Sequence, residues 1–156
     1  MRLLSLTFII FLIFIDYLSK KLIKNSFDHN FYMINEYISI QILYNKGIAF
    51  SLFNSTSIVV NTILILIISI IILFLLYIFI KDFSRLSRTE LLGYMFLIGG
   101  ATGNFLDRLI NGSVLDFLII NYNQIYFPAV FNVADIFISF GALLIITNYI
   151  FRPTND

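Results

Sequence analysis

The chain has no cysteine and only one histidine, His29, among its 156 residues. The first absence excludes a disulfide framework, a thiol nucleophile and a thiolate metal site, and the second excludes a multi-histidine cluster. Charge is also scarce: charged residues make up 12% of the chain, and the formal net charge of +1 creates no basic field. The ten Lys and Arg form no long run, so no nucleic-acid partner is expected. Carboxylates, amides and a few cations are left to do any chemistry, with no metal and no cofactor expected.

What the chain has in quantity is apolar surface: 60% of the residues are hydrophobic and the mean hydropathy is +0.94. Such a chain has lipid as its solvent, and its length suits one integral-membrane domain over 1–156. A bilayer span needs roughly 20 residues, and four stretches qualify: about 3–23, 57–80, 91–110 and 131–151. The expected fold is therefore membrane all-α, with four transmembrane helices and both termini on one side. Arg2 followed by Leu3–Ile15 could be read as a secretory signal, but the first alanine is Ala49. No small-residue cleavage site follows, and the segment reads as a retained helix. Residues 58–80 are interrupted only by Asn61, Thr62 and Ser69, which gives that helix a purely structural look.

Two connections carry the remaining structure. Residues 25–56 contain Ile38-Ser39-Ile40-Gln41-Ile42, an alternation of period two that predicts a small sheet. The aromatics Phe27, Phe31, Tyr32, Tyr37 and Tyr44 suit a membrane surface. In 111–130, Asn121-Tyr122-Asn123-Gln124 reads as a turn between two apolar segments. The basic residues divide evenly between the two sides. Discounting Lys20 and Arg108 as parts of a polar site leaves five against three, which places the termini and the 81–90 loop in the cytoplasm.

Ionisable groups in apolar segments are costly and mark functional candidates. Asp16, Asp107, Asp116 and Asp135 are four such groups. Asp116 and Asp135 lie 19 residues apart, so an antiparallel return can bring them together at one end of the bundle. Two adjacent carboxyls tend to share a proton, and such a pair can activate water and protonate a peptide carbonyl. The residues alone leave an alternative open, in which each Asp caps a helix or pairs with Arg108. Gly99 and Gly103 form a GxxxG suited to close helix packing. Asn104 and Arg108 share a face one turn apart, whereas Asp107 sits off it and serves another partner. A Ser19/Lys20 nucleophile-base pair is disfavoured, since adjacent helical positions diverge by about 100°. Asn45-Lys46-Gly47 reads as a turn, and His29 as a solvated residue.

Five ordered motifs then carry a resemblance. They are Asp16-Tyr17-Leu18-Ser19-Lys20, Asn45-Lys46-Gly47-Ile48-Ala49-Phe50, Gly99-Gly100-Ala101-Thr102-Gly103-Asn104-Phe105-Leu106-Asp107-Arg108, Gly112-Ser113-Val114-Leu115-Asp116-Phe117 and Phe131-Asn132-Val133-Ala134-Asp135. Together they resemble the lipoprotein signal peptidases, the type II signal peptidases of bacteria, over nearly the whole chain. The resemblance implies four transmembrane helices with an extracytoplasmic β-cradle in the bacterial inner membrane. It implies an aspartyl endopeptidase that removes the signal peptide from diacylglyceryl-modified prolipoproteins, cutting just before the lipidated cysteine. Asp116 and Asp135 would be catalytic. Asp16, Lys20, Asn45, Gly47, Asn104, Asp107, Arg108 and Asn132 would support them or hold substrate. A lipidated prolipoprotein, membrane lipid and globomycin-type inhibitors are the implied partners of a monomeric enzyme.

Two departures from the family pattern stand beside Asp135. Ile136 replaces a common serine, and 127–132 is one residue longer than the usual Phe-Pro-x-Phe-Asn form. A transporter would also use embedded Asp and Arg, but the chain has no inverted repeat. A scaffold glued by buried polar residues is the third reading.

Overall fold

The computed structural model describes residues 2–47, 58–122 and 125–151. Its element order is α1 (Arg2–Ser26), β1 (Tyr32–Met33), β2 (Ile38–Asn45), α2 (Ile58–Lys81), α3 (Arg88–Asn111), β3 (Val114–Tyr122), β4 (Ile125–Phe131) and α4 (Val133–Ile150). Ile48-Ala49-Phe50 of the second motif and the Asn123-Gln124 part of the expected turn lie outside the described residues.

The helices fall where long apolar runs place them, and their ends follow local capping chemistry. Ser87 caps α3 through a capping box with Glu90, and Gly112 closes the helix at φ 70°, a left-handed conformation that glycine adopts without strain. The fourth helix begins at Val133 and not at about 131, because Phe131 belongs to β4 and Asn132 takes the cap position. Three helices, α1, α2 and α4, are long and apolar enough to cross a membrane. The remaining helix, α3, packs on all three of them. Its polar side chains can therefore be met by protein and not by lipid.

Among apolar helices in lipid, association depends on close van der Waals fit. Glycines in α3 supply it. A Cβ at Gly99 would lie 2.9 Å from the Leu12 Cβ of α1, and one at Gly100 would lie 2.5 Å from the Ala134 carbonyl of α4. The GxxxG expectation thus holds as packing, and Gly100 extends it to a second partner. At the opposite end of the bundle, Ile9, Phe79, Phe83, Leu91, Met95 and Ile98 form an apolar cluster. The polar residues gather at the other end, beneath the sheet.

That sheet is antiparallel, in the order β1-β2-β3-β4. It is larger than the small sheet expected from 25–56, because the 111–130 connection contributes two strands to it. Asn121 and Tyr122 are strand residues, and Asn121 explains a break in the β2 alternation. Ser39 is fully buried, and its hydroxyl donates to Asn121 Oδ1 at 3.0 Å. The register sets Asn45 opposite Val114 and Leu43 opposite Asp116. Side chains two apart on a strand share a face, so Asn45 and Asp116 become diagonal neighbours across the pair.

Candidate functional site

Every site residue expected from the sequence belongs to one connected polar cluster at the sheet end of the bundle. Asp16 and Lys20 are one turn apart on α1, and Lys20 Nζ donates to Asp16 Oδ2 at 2.7 Å. Asp16 Oδ1 accepts the Ala134 N–H at 2.9 Å, which ties α1 to the start of α4. A Cβ at Gly103 would meet Asp16 Oδ2 at 2.6 Å, so this carboxyl fits only against a bare backbone. Lys20 also reaches Asp107 Oδ2 at 2.9 Å and Asn104 Oδ1 at 3.2 Å. Asp107 accepts the Leu115 N–H as well, at 3.4 Å, and is thus the partner of other groups, as its place off the Asn104 face suggested. Ser19 donates instead to the Asp16 carbonyl, an arrangement that serves the helix and not a nucleophile.

Asn132 forms the centre of the cluster. As the cap of α4, its Oδ1 accepts the Asp135 N–H at 2.9 Å, while Asp135 Oδ2 accepts the Asn132 N–H at 3.1 Å. The Asn132 Nδ2 group is left to donate to Asp116 Oδ1 at 2.7 Å and Asn104 Oδ1 at 3.1 Å. Asn104 Nδ2 donates to Asp135 Oδ1 at 2.8 Å, and Asn45 Nδ2 donates to Asp116 Oδ2 at 3.0 Å. Asn45 Oδ1 accepts the Gly47 N–H, and the Gly47 carbonyl accepts from Arg108 Nη2. The turn expected at 45–47 therefore also anchors a guanidinium.

The two readings of the aspartates left open by spacing separate here. Asp135 is a helix cap and a member of the cluster at once, since one oxygen serves the cap and the other faces Asn104. Asp116 is no cap: it lies within β3 and not simply after α3. Among the described residues Arg108 makes no ion pair with either aspartate within 4.0 Å. Asp116 is buried at 4% exposure. Burial, reinforced by the nearby Asp135 charge, pushes its carboxyl from the ordinary 3.8 up to about 6, against the lowering effect of Asn45, Asn132 and Lys20.

Asp116 and Asp135 both line a cavity of about 570 Å³ together with Asn45, Asn104 and Arg108. Its far wall is apolar and comes from α2 through Leu64, Ile67, Ile68, Ile71 and Leu75. The helix whose sequence looked purely structural thus shapes the site. A second apolar cavity of about 560 Å³ adjoins the first and shares Phe131, Asp135 and Ser139 with it. Ser139 was not singled out in the sequence, although its position one turn after Asp135 was a usable signal. Ile136 lines the second cavity and not the first. The longer 127–132 stretch falls where the β3–β4 register shifts, with Ile119 opposite Val130 and Asn121 opposite Tyr126.

This fold and cluster define an integral membrane protein with two carboxyls in the wall of a largely apolar cavity. Relatives place it more narrowly. The family model of signal peptidase (SPase) II matches residues 8–151, and the chain belongs to the signal peptidase II family. It is 44% identical over 142 residues to the lipoprotein signal peptidase of Wigglesworthia glossinidia brevipalpis, covering 90% of each chain. It is 33% identical over 139 residues to that of Clostridium novyi, covering 88% of this chain and 90% of the other. A solved bacterial membrane enzyme, determined by the in meso method at 2.3 Å, superposes with a TM-score of 0.79 at 25% identity. That match covers 97% of this chain and 93% of the other.

Proposed function

We propose that this peptidase removes the signal peptide from diacylglyceryl-modified prolipoproteins, cutting N-terminal to the lipidated cysteine with Asp116 and Asp135 as its catalytic pair. The observation that carries the reading is that both carboxyls line one cavity, with Asp116 buried and its affinity for a proton raised. One carboxylate takes a proton from water as the water oxygen bonds to the scissile carbonyl carbon. The other carboxyl gives its proton to the carbonyl oxygen. When the C–N bond breaks, the proton taken from water passes to the departing amine, a hydroxyl of the diol intermediate returns its proton to the second carboxylate as the C=O re-forms, and the pair is reset. Arg108 and Asn45, held by Gly47, stand at the cavity to hold an extended substrate backbone.

The membrane placement follows from the same features. Serving as a fourth span, α3 completes a single peptidase domain over 1–156. Lys20 and Arg108 are buried in the cluster, which supports leaving them out of the charge balance. Arg2, Lys81, Arg85 and Arg88 then face the cytoplasm, and Lys21, Lys24 and Lys46 lie on the outer side. The termini are cytoplasmic, and the cluster and sheet stand near the outer face of the inner membrane. Water reaches them there while acyl chains stay in the bilayer. A lone chain contains the whole cluster, in keeping with a monomer, and globomycin-type inhibitors would occupy the cavity.

The test is cleavage of a diacylglyceryl-modified lipobox peptide by the purified protein in detergent, beside the same peptide without lipid. Cutting before the lipidated cysteine, with the unlipidated peptide left whole, is the expected result. Equal cleavage of both would refute lipid recognition.

A further inference from the structure

The orientation of two side-chain amides in the cluster follows from groups that can only donate. Lys20 Nζ has no lone pair to offer, so the end of Asn104 that faces it at 3.2 Å must be the oxygen. The backbone N–H of Asp135 likewise demands the oxygen of Asn132. With both oxygens assigned, both NH2 groups are assigned too. That of Asn104 points at Asp135, and that of Asn132 points at Asp116 and at the Asn104 oxygen. Were Lys20 absent, the Asn104 amide would keep only the Asn132 donor to hold it. A flipped Asn104 would turn its oxygen on Asp135, which a carboxylate disfavours and a protonated carboxyl accepts as a partner.

Lys20 is faced by Asp16 on its own helix and by Asp107 from α3. Asp135 is faced by Asp116 from β3 and, at longer range, by Lys20 from α1 and Arg108 from α3. Its two oxygens accept the N–H groups of Asn104 and Asn132 at 2.8 and 3.1 Å.

We infer that Lys20 is a positioning residue, which fixes the Asn104 amide so that its N–H group, and not its oxygen, faces the Asp135 carboxyl. The inference rests on the catalytic-pair reading above. Lys20 touches neither the water nor the substrate and acts through Asn104.

The experiment is a double-mutant cycle on the purified full chain, with a diacylglyceryl-modified lipobox peptide as substrate. The variants are Lys20→Met, Asn104→Ala, the double variant and Lys20→Arg. Lys20→Met should lower kcat about tenfold or more, with KM unchanged within about twofold. It should also move the acid limb of the kcat profile to higher pH, because the carboxyl pair loses an oriented donor and a nearby cation. Lys20→Arg, which restores an N–H donor and a charge, should recover most of kcat. In the Asn104→Ala background Lys20→Met should cost nothing more. A full multiplicative loss in that background, or an acid limb that does not move, would overturn the inference. If Lys20→Met does not fold, Asn104→Ala carries the same test, and an unmoved acid limb in that variant overturns the inference equally. Cleavage surviving in Asp116→Asn or Asp135→Asn would instead refute the catalytic pair itself.

Discussion

Replacing Asp116 with Asn removes a charge from a buried site while keeping its shape, and the structure sets the size of the effect. The carboxyl is raised from 3.8 to about 6, roughly two units, and each unit corresponds to about 1.4 kcal/mol. A group whose pKa is raised by folding contributes most to stability below its unfolded value, and that contribution is lost as pH rises through the folded value. Above about pH 6 the ionised Asp116 therefore costs about 3 kcal/mol, all of which the Asn variant regains. Against this, Asp116 accepts N–H groups on both oxygens, from Asn45 and Asn132. An Asn at this position can accept only one, and a buried donor left unpaired costs about 1–3 kcal/mol. The variant should be as stable as the parent, or up to about 2 kcal/mol more stable, near pH 8, and about 1–3 kcal/mol less stable near pH 4. At about 2–4 °C per kcal/mol, the Tm difference between variant and parent should swing by roughly 6–12 °C across that range. Thermal unfolding in detergent micelles at the two pH values measures it. An equal Tm shift at both would mean that Asp116 is not a buried carboxyl that holds its proton.

Other substitutions probe separate joints. Gly103→Ala puts a Cβ 2.6 Å from Asp16 Oδ2; it should cost about 1–3 kcal/mol and loosen the Asp16 bond to the Ala134 N–H, seen as a lower Tm together with reduced cleavage. Asn45→Ala removes a bond that lowers the Asp116 pKa, so the Asp116 titration should move upward in infrared spectra of the carboxyl region. Ser87→Ala breaks the α3 capping box far from the cluster; it should cost about 1 kcal/mol and leave kcat unchanged. The effect of Lys20→Met on the pH profile, described above, completes the set.

Much of this molecule is written locally. The apolar runs mark α1, α2 and α4, the alternation at 38–42 marks β2, and Gly99 and Gly103 mark the close approach to α1. The β3–β4 strands were harder to read, because Asn121 and Tyr122 look like turn residues until Ser39, 82 positions away, supplies the buried partner. Spacing suggested that Asp116 and Asp135 meet, but it could not distinguish a cap from a reactive group, and Asp135 is engaged in both ways. The Asp16–Lys20 pair was available as an i, i+4 contact on one helix. The link from Lys20 to Asn104 spans 84 positions, and no local pattern encodes it. The role of α2 was hidden for another reason. A wall of Leu and Ile around a cavity has the same composition as a face turned to lipid.

The central claim is that Asp116 and Asp135 together cut a lipidated precursor. The most direct measurement is mass spectrometry of a diacylglyceryl-modified lipobox peptide incubated with the parent protein, Asp116→Asn or Asp135→Asn, each first checked to be folded in micelles. The parent should release the signal peptide ending just before the lipidated cysteine, and neither variant should release any. Release at the same position by either folded variant would contradict the account.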